Sequence, residues 1–240
     1  MTHRWIVATS MGFRPGNRTW LEPGPVFDLM LELAGRPARP RLCFLGTAGG
    51  DQMHRRQQVR EAFQGSQVEV TDLALFGMPN VEDIAAHLLA QDLVWVDGGS
   101  VAGLLALWEL HGVGAAMRAA WEAGVVLGGI SAGSLCWHVG GPTDSFGPEL
   151  RPITNGLALL PYGNGVHYDS EPQRRPLLHR LVADGTLPTS YATDDGVGLV
   201  YDGTELVEAV TDRPGAGAYR VERSTDGTAV ETRIEPRLLP

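Results

Sequence analysis

Two rhythms of apolar residues alternate along the first two thirds of the chain. Short continuous apolar runs end in glycine-rich turns, and between them lie segments with apolar positions at helical spacing. The continuous runs predict buried strands at Trp5 to Thr9, Arg41 to Leu45, Val68 to Leu75, Leu93 to Val96 and Val125 to Ile130. Helical spacing predicts helices over Pro25 to Ala34, from Asp51, as its N-cap, to Phe63, over Val81 to Leu89, from about Val101, and over Ala115 to Glu122. Strand and helix in regular alternation imply a parallel sheet with helices on both faces and right-handed crossovers.

The pattern changes toward the C-terminus. Val197 to Val200, Leu206 to Val210, Ala218 to Val221 and Ala229 to Ile234 read as short strands, separated by turn dipeptides such as Asp202-Gly203 and Asp226-Gly227. They predict an antiparallel extension on the sheet. Gly140 to Pro152, rich in proline and glycine, reads as a surface loop, and with no repeat or low-complexity tract the chain is expected to be one domain over residues 1 to 240.

Composition narrows the chemistry. All 19 basic residues are arginine, so a P-loop lysine, a pyridoxal Schiff base and a lysine nucleophile are excluded. A net charge of -9 argues against nucleic acid as a partner. Cys43 and Cys136 are too few for a disulfide framework, which suits the cytoplasm. The start, Met1 to Trp5, leads straight into a short apolar run without the pattern of a signal peptide, and no run approaches a membrane span. No histidine, cysteine or carboxylate spacing suggests a metal site, and no cofactor is expected.

The stretch GGISAGS, residues 128 to 134, carries the candidate chemistry. It satisfies Gly-x-Ser-x-Gly between an apolar strand and a segment, Leu135 to His138, that can be helical, which is the context of a nucleophile elbow. Ser131 is then the candidate nucleophile, and the N–H of Ala132, at a helix N-terminus, a candidate oxyanion donor. Of the seven histidines, His87, His111, His138 and His179 read as packing or surface residues, whereas His167 ends a segment, Leu159 to Val166, able to deliver it to a sheet edge as general base. Cys136, five residues beyond the elbow serine, reads as a small buried apolar residue.

Five segments taken together resemble the peptidase E family of serine peptidases, the aspartyl dipeptidases, a family related to the cyanophycinases. They are DGGS (97 to 100), GISAGS (129 to 134), TDS (143 to 145), GVHYDSEPQRRP (165 to 176) and ATDDGVGLVYDG (192 to 203), in the family's order. The resemblance implies a three-layer α/β fold like that of class I glutamine amidotransferases, with Ser131 as nucleophile and His167 as base. It also implies a second oxyanion donor at Gly99. Three carboxylates compete to orient the histidine: Asp195, which falls where relatives present a glutamate, is preferred, with Asp144 and Glu171 as alternatives. Because Asp195 is shorter than glutamate, it must sit nearer to His167 or act through water. Family specificity for N-terminal aspartyl residues points to Arg174 or Arg175, with Glu171 beside them, as substrate-binding groups, since guanidinium binds carboxylate by paired hydrogen bonds. The spacing of QRRP departs from the family's arginine pattern. The expected partners are a short peptide and, from the family, a second copy of the chain. A carboxylesterase or amidase using the same elbow, and an inactive binding protein on this scaffold, are the rival expectations.

Overall fold

The computed structural model describes residues 3–240, so Met1 and Thr2 of the N-terminal run lie outside the described residues. Strand β1 (Trp5–Thr9) leads into a small hairpin of β2 (Phe13–Pro15) and β3 (Leu21–Pro23), then α1 (Pro25–Leu33). The chain continues through β4 (Arg41–Leu45), α2 (Met53–Ala62), β5 (Glu69–Asp72), α3 (Ile84–Leu89), β6 (Leu93–Val96), α4 (Val101–Leu110), α5 (Val113–Glu122), β7 (Val126–Ile130) and α6 (Ala132–Leu135). The remaining elements are β8 (Gly141–Thr143), β9 (Arg151–Ile153), β10 (Gly163–Gly165), α7 (Arg174–Ala183), β11 (Ser190–Thr193), β12 (Val197–Asp202), β13 (Glu205–Thr211), β14 (Ala218–Arg223), β15 (Ala229–Ile234) and β16 (Arg237–Leu238).

The main sheet has the strand order β16-β13-β12-β1-β7-β6-β4-β5. Its β1, β7, β6, β4 and β5 run parallel, and β12 joins antiparallel to β1. Period-two alternation sorts the strand side chains onto two faces. Ile6, Ala8, Cys43, Leu45, Val94 and Val96 pack with α3, α4, α5 and α6. Val7, Leu42, Phe44, Leu93 and Trp95 pack with α1 and α2. This is the three-layer, mostly parallel α/β architecture expected. Each fully buried Leu or Phe in these layers contributes about 1.5–3 kcal/mol relative to exposure.

Several local expectations change. Asp51 does not cap α2, whose N-cap is Gln52 without a side-chain bond. Its carboxylate instead accepts from the N–H groups of Leu75 and Phe76 at 2.6 and 3.1 Å. That capture, with Asn80 Oδ1 accepting from Ala74 N–H at 2.8 Å, ends β5 at Asp72 rather than at Leu75, because these amides are no longer free for a ladder. Residues 140 to 152 are not all loop, since β8 pairs with β9. The C-terminal strands do not all extend the main sheet: β12 and β13 do, whereas β14 and β15 join β10 and β11 in a second, four-stranded sheet covered by α7.

Candidate active site

Three strand ends build the site. Ser131 lies between β7 and α6 with φ 58° and ψ −110°, a left-handed backbone that costs a non-glycine residue about 1–3 kcal/mol. The surroundings enforce it. Glycine at 129 and 133 lets strand and helix close on the end of β6: a Cβ on Gly133 would stand 2.1 Å from the Val96 carbonyl oxygen, and one on Gly129 2.6 Å from the same atom. Ser131 N–H is anchored by the Thr9 carbonyl at 3.0 Å, at the end of the neighbouring strand β1. The Ser131 hydroxyl makes no hydrogen bond with any described residue.

His167 and Asp195 arrive on two parallel neighbours. β10 and β11 pair from Gly163 with Ser190 to Gly165 with Ala192, so the residues just beyond their ends emerge side by side. His167 Nδ1 and Asp195 Oδ1 are 2.6 Å apart, a direct contact in which the shorter carboxylate needs no bridging water. A neutral ring that donates Nδ1–H to Asp195 carries its free lone pair on Nε2. The ring is 23% exposed and the carboxylate 38%, so the pair opens to solvent. His167 also has a left-handed backbone, φ 53°, held on both sides: its N–H donates to Ser10 Oγ at 3.1 Å and its carbonyl accepts from Glu171 N–H at 3.0 Å.

Ser10 was not singled out in the sequence, although a small polar residue closing the first apolar strand is a recognisable signal at a sheet edge. Its hydroxyl also meets Thr193 Oγ1 at 2.8 Å, and its carbonyl accepts from Gly196 N–H at 2.9 Å. Thr9 and Ser10 therefore tie the Ser131 turn to the turns carrying His167 and Asp195. A second tie runs from Ser134 Oγ on α6 to Asn164 Oδ1 on β10 at 2.8 Å.

Beside Ser131 lies the turn after β6. Gly99 has φ +136°, and a Cβ there would meet the Ala48 carbonyl oxygen at 2.3 Å, so only glycine fits. A Cβ on Gly98 would stand 3.4 Å from Ser131 Cβ, which measures how closely this turn approaches the serine. Among the described residues the N–H groups of Gly98, Gly99 and Ala132 find no acceptor. Such unpaired donors near a half-buried serine suit the developing charge of a tetrahedral oxyanion.

The other candidate residues separate. Asp144 does not reach His167; it is exposed and its Oδ1 lies 3.9 Å from Arg174 Nη2. Glu171 likewise turns to Arg174, accepting from Nε at 2.8 Å. Arg174 is 2% exposed, donates through Nη1 to the Pro142 carbonyl at 2.5 Å, and makes no hydrogen bond through Nη2 with any described residue. Arg175 is engaged elsewhere: it pairs with Glu231, and its guanidinium lies 4.3 and 4.5 Å from the Tyr168 and Tyr219 rings. Of the two adjacent arginines, only Arg174 faces Asp144 and Glu171. Cys136 is fully buried, and burial pushes its thiol well above the usual range, so it offers no thiolate. Among the described residues no cluster of three or more His, Cys, Asp or Glu could hold a metal ion, and no helix is long and apolar enough to cross a membrane.

Comparison with known proteins identifies the family and the fold. The profile of peptidase family S51 matches residues 18–209. An uncharacterised peptidase of Bacillus subtilis (strain 168), YgaJ, is 40% identical over 183 residues, covering 76% of this chain and 78% of that protein. Two crystal structures share the fold at 15% identity. One, of a peptidase from an acI-B1 actinobacterium, has a TM-score of 0.69 over 98% of this chain and 95% of its own. The other, of a Listeria monocytogenes EGD-e protein described as a candidate peptidase E, has a TM-score of 0.59 over 97% and 100%.

Proposed function

The chain belongs to peptidase family S51, and from that premise we propose that it is a serine peptidase hydrolysing short peptides with a preference for N-terminal aspartyl residues. The observation that carries the reading is the 2.6 Å contact of His167 with Asp195, on turns tied through Thr9, Ser10 and the Ser134–Asn164 bond to the turn of Ser131. In this mechanism His167 Nε2 takes the proton of Ser131 Oγ as the oxygen attacks the scissile carbonyl. The oxyanion accepts hydrogen bonds from Gly99 and Ala132 N–H. As the intermediate collapses, the C–N bond breaks and His167 returns the proton to the leaving amine. Water activated by the same imidazole then cleaves the acyl-serine ester. Asp195 holds the ring and stabilises the imidazolium without itself becoming protonated.

Recognition of the substrate's N-terminal residue is assigned to the group around Arg174. An aspartyl N-terminus presents an ammonium and a carboxylate together. Arg174 Nη2, the guanidinium nitrogen without a hydrogen bond, suits the carboxylate, and the partly exposed Asp144 and Glu171 suit the ammonium. Support for their nearness to the reaction comes from Ser145, whose Oγ accepts from Ala102 N–H at 3.3 Å at the start of α4, three residues beyond Gly99. The reading includes a cytoplasmic location, supported by two unpaired, buried cysteines.

The test is kcat/KM on matched dipeptides with N-terminal Asp, Glu, Asn, Ala, Leu and Arg, for the wild type and for Ser131→Ala. Turnover led by the Asp peptide and lost by at least ~10³-fold in Ser131→Ala is expected. Cleavage of esters without dependence on a free α-amino group would turn the reading toward an esterase or amidase. Failure of Ser131 to react with a serine-directed phosphonate would point to a binding protein.

A further inference from the structure

Asp195 reaches His167 from an exposed turn, and an exposed carboxylate on a short side chain samples many directions unless its backbone is fixed. That turn is held from three sides. Asp194 is buried and accepts from Gly217 N–H at 2.9 Å and Tyr219 Oη–H at 3.2 Å. Gly196 is tied to Ser10, as described above. Asp195 itself donates its N–H to Asp169 Oδ1 at 2.8 Å, while Asp169 Oδ2 accepts from the Arg213 guanidinium. Asp169 lies two residues beyond His167, so one short segment carries both the base and a clamp on the base's partner.

We propose that Asp169 and Arg213 form a positioning pair that holds Asp195 in line with His167, and that the C-terminal extension thereby completes the catalytic arrangement. Arg213 stands beyond residue 209, where the family match ends. The inference rests on the Ser131–His167–Asp195 reading and extends it to residues that touch neither substrate nor reacting atoms. Partial burial works against ionisation of Asp169, but the Arg213 bond and the Asp195 N–H more than offset it and keep the carboxyl below its usual range. Arg213 is held the more firmly protonated, chiefly by its bond to Asp169 and in part by the charge of Asp195. Its own N–H donates to Thr211 Oγ1 at 3.0 Å, and that hydroxyl in turn donates to the Gly196 carbonyl at 2.8 Å. The guanidinium therefore sits on a loop locked to the turn it supports.

Two readouts separate positioning from a merely structural role. The first needs no substrate: the low-field proton NMR resonance of the His167 Nδ1–H bonded to Asp195, assigned by its loss in His167→Gln. In Asp169→Ala this resonance is expected to broaden or disappear. In Asp169→Asn, whose side-chain oxygen can still accept from Asp195 N–H, it persists at reduced intensity. The second is steady-state kinetics on the best dipeptide, where Asp169→Ala lowers kcat about 10- to 100-fold with KM within about twofold. Arg213→Met gives a smaller loss of the same kind, and Asp169→Ala adds little to it in the double variant. If Asp169→Ala keeps both the resonance and kcat while only its melting temperature falls, the proposal is overturned. If Asp169→Ala does not fold, Asp169→Asn and Arg213→Met decide, and an unchanged resonance and kcat in both overturns it. A wild type that shows the resonance, and loses it in Asp169→Ala, yet cleaves no peptide would uphold the positioning pair while sinking the peptidase reading.

Discussion

His138, seven residues beyond the site serine, is wholly buried, and its behaviour follows chiefly from that burial. Nδ1–H donates to the Ser134 carbonyl at 2.9 Å, while Nε2 has no protein partner beside the Tyr201 ring. Burial lowers its pKa from 6.5 to about 4, against a smaller opposing effect of the Ser134 carbonyl. The unfolded chain thus takes up a proton near pH 6.5 that the folded chain refuses until about pH 4. Stability is fully present above pH 6.5 and falls across that window as the pH drops, by about 3 kcal/mol from this residue. Urea midpoints at pH 7, 5.5 and 4 are expected to decline more steeply in the wild type than in His138→Gln. Parallel declines would contradict this account. The sequence left this residue open as packing or surface, and only the fold decides for full burial.

At the scale of elements, the glycines of the GISAGS turn answer to β6 as well as to each other. Both crowd the Val96 carbonyl, a backbone atom that cannot rotate away. Gly133→Ala must push α6 off the sheet end, and overpacking of this kind costs about 1–3 kcal/mol. For a chain of this size the melting midpoint should fall by roughly 3–10 °C, read by calorimetry. Gly128 is a useful contrast, because a Cβ there would meet the flexible end of Met30 at 2.7 Å, so Gly128→Ala should cost less than Gly133→Ala. The reverse order would show that the Val96 contact does not govern the turn. Gly-x-Ser-x-Gly in a strand-to-helix context was visible in the chain, but the atom that makes its glycines obligatory belongs to a strand some 35 residues earlier.

Across the whole molecule, the second sheet and α7 brace the loop that carries His167. Glu231 on β15 accepts from Tyr168 Oη–H at 2.9 Å, lies 2.9 Å from His179 Nε2 and pairs with Arg175, which is sandwiched between the Tyr168 and Tyr219 rings. Removing this carboxylate leaves a guanidinium and a phenol without their acceptor in a partly buried cluster, a loss of about 1.5–3 kcal/mol. Glu231→Ala should melt roughly 5 °C lower, and hydrogen exchange should quicken at the Tyr168 and Glu171 amides beside His167. Unchanged exchange there, with a lowered melting point, would confine Glu231 to holding β15 in place.

What the sequence determined by itself was local and periodic. The alternation of apolar runs and helical segments specified a parallel three-layer α/β core, since each pattern can bury its apolar face in only one kind of layer. The strand ends carrying Ser131, Gly99 and His167 were recognisable from the small residues that sharp turns require and from the motifs that resemble peptidase E. Decided only in three dimensions were the relations between distant segments. Along the chain Asp195 was preferred through the resemblance alone, with the carboxylates at 144 and 171 as alternatives, and it took the parallel pairing of β10 with β11 to bring Asp195 against His167. Arg174 and Arg175 are adjacent in sequence, yet α7 turns one toward Asp144 and the other toward Glu231. Asp169 and Arg213, 44 residues apart, carried no pattern that could pair them. A hydrogen bond depends on distance and direction in space, and local periodicity encodes neither for residues that meet only after the chain has folded.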